Sequence, residues 1–307
     1  MIIVKIMGGL GNQLQQYAVY KKFKTLGVEA KVDISWFSKE NQENMLAKRD
    51  LELNYFEGIE YEAATEEEIA KLIGSDKLSG KLRRKLLPFT INRFDESMMY
   101  HPELLKMQSA YISGYFACEK YYADILPLLR NEIKFPIGME KAEVFHKIAA
   151  DMDEVQSVAL HLRRGDYLDA ENQAMFGGIC TEEYYEGAIN HLMQKVEAPV
   201  FFIFSDDSEY AEEYAEKMRQ KFGVMAHVLD MNKGKASFLD IYLMSKCKHI
   251  ITANSTFSFW GARFNDYENK IMIRPTKHKN SQKFVRDEMV NLWKEWTFVD
   301  SNGTVVI

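Results

Sequence analysis

The chain has 307 residues, 47% hydrophobic and 27% charged, enough for two domains of ordinary size with a core in each. Its net charge of -6 argues against general attraction to nucleic acid or an anionic membrane, so any basic site must be local. Cys118, Cys180 and Cys247 are far apart with no Cys-x-x-Cys pair, which argues against zinc or a disulfide framework and predicts reduced thiols.

"IIVKI" (2–6) predicts a short buried strand, followed by the glycine loop "MGGLGNQLQQYA" (7–18). In "QLQQYAVYKKFKTLG", Leu14, Ala18 and Phe23 lie near helical spacing, and Gly27 is a natural stop. "VEAKVDIS" predicts a second strand, so a βαβ unit with a parallel sheet opens the protein. Residues 38–107 are less regular and strongly charged, although "ATEEEIAKLI" predicts a helix capped by Thr65. "KLSGKLRRKLLPF" (77–89) reads either as a peripheral contact with the inner membrane face or as a solvated amphipathic helix or crossing loop.

"AYISGYF" predicts a strand and "EKYYADILPLLRNEIKF" a helix, after which a polar segment leads to the strand "SVALHL". From there strand and helix alternate: "TEEYYEGAINHLMQKV", "PVFFIFS", "SEYAEEYAEKMRQKF", "AHVLD", "ASFLDIYLMSKC", "HIITAN" and "STFSFWGARF", with "KIMIRP" closing the sheet. The expected fold is α/β with two Rossmann-like domains, 1–150 with a helical insertion and 151–307, and ligands at the carboxyl ends of the strands in a cleft. No segment has the ~18 consecutive apolar residues of a membrane helix, and the N-terminus lacks the layout of a signal peptide, so a cytoplasmic protein is expected.

Four constellations carry chemistry. Gly9 and Gly11, with Asp33 further on, match part of a dinucleotide fingerprint, but Leu14 stands where its third glycine belongs. Either a tight strand-to-helix turn or a ligand loop fits, and the amides of Asn12 and Gln13 favour the latter. In "HLRRGDY" (161–167), His161 and Arg163 share one face of a strand end, where a guanidinium can bind a diphosphate and stay charged. Alternatively, Arg163 or Arg164 pairs with Asp166.

In "ITANSTFSFWGA", Asn254, Ser255, Thr256 and Ser258 lie where a strand gives way to a helix, as an anion site or a plain N-cap. "FFIFSDD" ends in Asp206, open between a nucleotide contact and a cap, and Asp207, expected to cap. Asp151 and Asp153 form a D-x-D, but they precede their strand, so a solvated loop and no required metal are expected.

Together "GGLGNQ…QYA", "ISGYF", "HLRRGDY", "FSDD" and "NSTFSFWGA" resemble the α-1,2-fucosyltransferase family, glycosyltransferase family 11, over nearly the whole chain. The family loop usually has Phe where Gln15 stands, and Gln where Ala117 stands; both departures fall on the expected acceptor side. The resemblance implies a GT-B fold, with 1–150 on the acceptor side and 151–307 binding GDP-fucose. It also implies metal-free, inverting transfer from GDP-β-L-fucose to O2 of a β-galactoside, on an oligosaccharide or lipid-linked glycan.

By the same resemblance Arg163 would bind the diphosphate, His161 and Asp206 would lie near guanosine, and Ser255, Thr256 and Phe257 would touch phosphate. Gly9, Gly11 and Asn254 would complete the donor side. Asn12 would lie near the reacting centre, Gln13 and Gln15 toward the acceptor, and Asp166 is a candidate base. The competing classes are a nicotinamide-dependent oxidoreductase using Gly9, Gly11 and Asp33, and an inactive glycan-binding protein.

Overall fold

The computed structural model describes residues 1–43, 48–74, 82, 85–87, 91–97, 99–164 and 170–307. They divide into two units, Met1–Pro136 and Ile137–Ile307, each built on an all-parallel sheet. Two Rossmann-like units in series are the make-up of the GT-B fold expected from the sequence.

The first unit runs through β1 (Ile2–Lys5), α1 (Leu10–Thr25), β2 (Ala30–Asp33), α2 (Glu66–Ile73), β3 (Arg93–Asp95), β4 (Ala110–Ser113) and α3 (Leu126–Glu132). Its strand order is β2-β1-β4-β3. The short apolar β1 is central and almost wholly buried, as its β-branched run requires. Thr65 caps α2 as expected, in a reciprocal pair with Glu68. The helix expected over 119–135 forms only at α3, after two 3₁₀ turns. Pro127 in its first turn has no N–H to give to a preceding turn, so the helix starts there. The basic stretch 77–89 lies largely outside the described residues, and among those described no helix is long and apolar enough to cross a membrane.

The second unit begins with α4 (Met139–Glu154), in the segment expected to be merely polar. Phe145 and Met152 on its inner side are fully buried, and Phe145 lies 6.1 Å from the ring of Tyr242, so the helix belongs to this unit. The boundary therefore falls at 136/137, because a break near 150 would cut this helix. Asp151 and Asp153 sit exposed in its last turns, not in a loop.

There follow β5 (Gln156–Leu162), α5 (Ala170–Phe176), α6 (Glu182–Met193), β6 (Pro199–Ser205), α7 (Ser208–Phe222), β7 (Met225–Val228) and α8 (Leu239–Lys246). β8 (His249–Ile251), α9 (Thr256–Phe264), β9 (Met272–Pro275), α10 (Arg286–Leu292) and β10 (Trp296–Val299) complete it. "KIMIRP" does not close the sheet: β10 pairs with β9 beyond it, with Trp296 beside Met272.

The strand order β10-β9-β8-β5-β6-β7 is that of dinucleotide-binding folds, with the chain reversing direction across the sheet between β5 and β8. Val158, Leu160 and Leu162 of β5 pack with Phe201 and Ile203 of β6 against α6 and α7. Each such side chain contributes about 1.5–3 kcal/mol by leaving water, so the strand ends project from a rigid base. Gly261 lets α9 lie against α8, since a Cβ there would stand 2.7 Å from the Met244 Cβ.

Candidate functional site

Where a parallel sheet reverses its winding, flanking helices leave in opposite directions and open a crevice at the strand ends. In the second unit that point lies between β5 and β8, and the sequence places His161–Arg164 at the end of one and Asn254–Phe257 after the other. Asp206 and Asp207 follow β6, the next strand along.

Arg163 is ion-paired: its Nη1 lies 2.7 Å from Asp206 Oδ2, with both side chains about a quarter exposed. The other Asp206 oxygen accepts from the Arg164 backbone N–H at 3.0 Å. Asp206 thus holds the arginine segment in place at the end of β6. Asp207 caps α7 as expected, accepting from the Tyr210 N–H at 3.1 Å. The Arg164 guanidinium lies 4.1 Å over the Tyr210 ring, 3.8 Å from Asp207. Asp166, the expected partner of an arginine and candidate base, lies outside the described residues.

His161 is buried, its ring 5.9 Å from that of Phe257 at 37°. Burial first, then the nearby Arg163 charge, push its pKa down to about 3, with Asp206 opposing. The ring is therefore neutral at physiological pH, and its Nδ1 has no hydrogen-bond partner among the described residues. Tyr185 fixes this strand end by donating to the His161 carbonyl at 3.0 Å.

Asn254 is a brace. Its Nδ2 donates to the Phe176 and His278 carbonyls at 3.3 and 3.2 Å, and its Oδ1 accepts from the Cys180 thiol at 3.4 Å. Burial pushes that thiol up to about 12, which keeps it a donor. Asn280 adds bonds to the Ala174 and Gly177 carbonyls, so two loops at the sheet edge hold the end of α5. Ser255 caps α9 by accepting from the Phe257 N–H at 3.3 Å, while Thr256 and Phe257 stay half-exposed on the first turn.

A cavity of roughly 170 Å³ results, lined by Arg163, Arg164, Gln173, Phe176, Cys180 and Asn254 among others. The motifs supply the arginines and Asn254. Gln173, Phe176 and Cys180 were missed, because they reach the cavity only through the docking of α5; the Gly177-Gly178 turn was the one local signal. Among the described residues no three of His, Cys, Asp and Glu are grouped to hold a metal.

The rim of the first unit is built differently. Gly8, not Gly9, adopts the left-handed backbone, at φ +80°, and the Asn12 amide occupies the space a Cβ would need there. Gly9 has ordinary φ -78° and is the N-cap of α1; Gly11 lies buried within that helix. Gln13 and Gln15, expected to face an acceptor, are both fully buried. The Gln13 amide is consumed by the unit's own backbone, donating to Gly8 and Asp50 carbonyls and accepting from Glu52 and Leu53 N–H groups.

Gln16, which sequence reasoning passed over, accepts from Met7 and donates to Gly114, tying the loops after β1 and β4 together. Its i, i+3 spacing from Gln13 puts both amides toward the sheet edge. Asn12 remains half-exposed at the head of α1. Asp33 does not fit a ribose contact: one oxygen accepts from the Tyr111 hydroxyl at 2.7 Å and the other from the Ser35 N–H at 2.9 Å. That removes the acidic partner on which the nicotinamide reading depended.

The fold and this rim define the class: an α/β protein with a Rossmann-like unit whose switch point carries arginine, amide and helix N-terminus. The chain belongs to glycosyl transferase family 11, whose model matches residues 100–300. It is 29% identical to the O-antigen biosynthesis glycosyltransferase WbnK of Escherichia coli, over 94% of this chain and 99% of that protein. It is 28% identical to an alpha-1,2-colitosyltransferase of Escherichia coli, over 90% of this chain and 91% of that protein. A shorter match, 30% over 107 residues, joins it to galactoside alpha-(1,2)-fucosyltransferase 1 of Saimiri boliviensis boliviensis, covering 34% of this chain and 28% of that protein.

Proposed function

We propose that this family 11 glycosyltransferase moves L-fucose from GDP-β-L-fucose to O2 of a terminal β-galactoside, with inversion and without a metal. The observation that carries the reading is Arg163, at the switch point between β5 and β8, with Asn254 and the start of α9 on the neighbouring strand. A diphosphate is the ligand such a rim suits, because the guanidinium stays charged and a helix N-terminus favours anions. The relatives act through α-1,2 linkages, by their names, on colitosyl and fucosyl groups.

In this reaction the acceptor hydroxyl attacks C1 of fucose as GDP leaves from the opposite face. Negative charge grows on the diphosphate, where Arg163, oriented by Asp206, and the head of α9 stabilise it. The half-exposed Phe257 ring, backed by the neutral His161, offers a flat, uncharged surface to guanine. Asn12, half-exposed, orients the attacking hydroxyl; an amide cannot itself take the proton.

The test is transfer from GDP-fucose to lactose, with the linkage read by NMR. An α-1,2-fucoside formed undiminished in EDTA is expected, with GDP raising the melting temperature and NADH leaving it unchanged. A strict Mn²⁺ requirement contradicts the metal-free reading, and glycan binding without turnover makes the protein a lectin-like module. The match to the colitosyltransferase favours one second reading, a donor sugar lacking the 3-hydroxyl. Faster turnover of GDP-colitose than of GDP-fucose decides for it.

A further inference from the structure

The loop after β4 holds an exposed aromatic ring on a strained backbone. β1 and β4 are parallel neighbours at the centre of the first sheet, with Val4 beside Ile112, so their carboxyl ends emerge side by side. Gln16, with no exposed surface, ties those ends together. It accepts from the Met7 N–H at 2.8 Å and donates to the Gly114 carbonyl at 2.9 Å. Asn12 stands one turn before Gln16 on the same face of α1, and Tyr115 follows Gly114 directly. The Gln16 bridge therefore brings Asn12 and Tyr115 to one edge of the first unit.

The loop is held in a costly shape. Phe116 has φ +49°, a backbone state that a residue with a Cβ rarely adopts. Its side chain is fully buried, with the ring 5.6 Å from that of Tyr121 at 86°, and its carbonyl accepts from the Tyr122 hydroxyl at 3.2 Å. One Glu96 oxygen accepts from the Tyr115 and Phe116 N–H groups, both at 3.3 Å. A Cβ on Gly114 would collide with the Glu96 Cβ, so the loop can approach that side chain only with glycine there. Two adjacent aromatic residues are thereby divided: Phe116 enters the core, while Tyr115 keeps 43% of its surface in water. Packing alone gains by burying such a ring, so strain fixed from several sides around an outward ring points to a use for it.

We propose that Tyr115 is the platform on which the galactose ring of the acceptor stacks, with its O2 toward Asn12. The inference rests on the transfer reaction proposed above and names where its acceptor sits. In a β-galactoside the axial 4-hydroxyl leaves the C–H groups of C3, C4 and C5 together on one face. That apolar patch suits the electron-rich face of a phenol ring. The 2-hydroxyl is equatorial and points out from the rim, so a sugar seated by this face keeps O2 accessible. Gln13 and Gln15 are buried and give the sugar nothing to touch, whereas Tyr115 is exposed. Its backbone is already locked by Phe116, Glu96 and Gly114, so little ordering is left to oppose binding.

The experiment follows lactose binding and lactose fucosylation in the wild-type chain, Tyr115→Ala and Tyr115→Phe. Saturation-transfer NMR on the wild type is expected to give its strongest galactose signals at H3, H4 and H5. Tyr115→Ala loses those signals and raises the KM for lactose roughly 10-fold or more, with kcat within about a factor of three. That split is expected because a stack made equally in ground and transition states is uniform binding. The KM for GDP-fucose and the melting temperature stay as in the wild type. Tyr115→Phe keeps the ring and brings the lactose KM back to within about a factor of three of the wild type.

A lactose KM in Tyr115→Ala within about a factor of three of the wild type overturns the platform. Tyr115→Phe binding as weakly as Tyr115→Ala overturns it too, since the hydroxyl and not the ring face is then the contact. Earlier melting of Tyr115→Ala, with lactose and GDP-fucose affinity lost together, reduces Tyr115 to a structural side chain. A wild-type chain that shows the Tyr115-dependent signals but transfers nothing from GDP-fucose overturns the reaction and leaves the platform standing. Neither signals nor transfer in the wild type overturns both.

Discussion

The two sheet edges of this protein solve the same problem, holding polar groups at strand ends, with opposite chemistry. The edge of the first unit is braced by neutral amides: Gln13 and Gln16 are fully buried and bonded to backbone, and only Asn12 stays partly outside. The edge of the second has the Asn254 amide as a brace but adds charge, Arg163 on Asp206 and Arg164 between Tyr210 and Asp207, all partly in water. A neutral amide can be buried at small cost once its bonds are complete, whereas a full charge is costlier to take out of water and holds its place more cheaply where water or a ligand still reaches it. The function proposed above gives the edges different partners: a sugar hydroxyl at the first and an anion at the second.

The sharpest way to break that assignment is Arg163→Ala. Transfer is expected to fall at least roughly 10²–10³-fold, the loss typical of one donor to developing charge, while circular dichroism and melting stay close to wild type. Arg163→Lys should recover little, because an ammonium cannot reproduce the guanidinium fork. Near-normal activity in either variant removes the anion from this edge.

Gln13→Ala should do the reverse. Two carbonyls and two N–H groups lose a fully buried partner, at a cost on the order of 3 kcal/mol in urea unfolding. A variant as stable as wild type would show that the amide clamp is not what holds this edge. Asn254→Ala, which frees the Phe176 and His278 carbonyls, is expected to cost about 1–3 kcal/mol and to weaken stabilisation by GDP.

The smallest expected effect is on pH stability, and it also belongs to the second unit. His161 and His278 have pKa values pushed down to about 3, chiefly by burial, against an ordinary 6.5. Between those values the unfolded chain binds protons the folded one refuses, so stability is full above about pH 6.5 and falls as pH drops. Asp240, raised to about 7 by burial, has the opposite sign, since its folded form holds a proton up to that pH. The melting temperature should therefore decline from pH 6.5 to 5, and more steeply in Asp240→Asn. A flat profile in both proteins would show that the two histidines are protonated without loss of structure.

Most helices and strands of the second unit were legible because each announces itself locally: an apolar run between turn residues, or a cap such as Asp207 beside its first turn. Less was legible where an element's reason to exist lies elsewhere. α4 is polar on most of its surface and needs Tyr242 and the sheet to explain Phe145, and β10 becomes a strand only through pairing with β9.

The candidate site divides in the same way. The sequence by itself determined which residue types gather at the strand ends, and with them the family, because motif order and strand-to-helix turns are local properties of the chain. Only the tertiary structure decided what those groups are already bonded to. Asp33 is bonded to Tyr111, Asp206 to Arg163, Asn254 to Cys180, and Gln13 to the backbone of Glu52. A polar side chain satisfies its bonds with whatever the fold brings near, often dozens of residues away, and no local pattern records that choice.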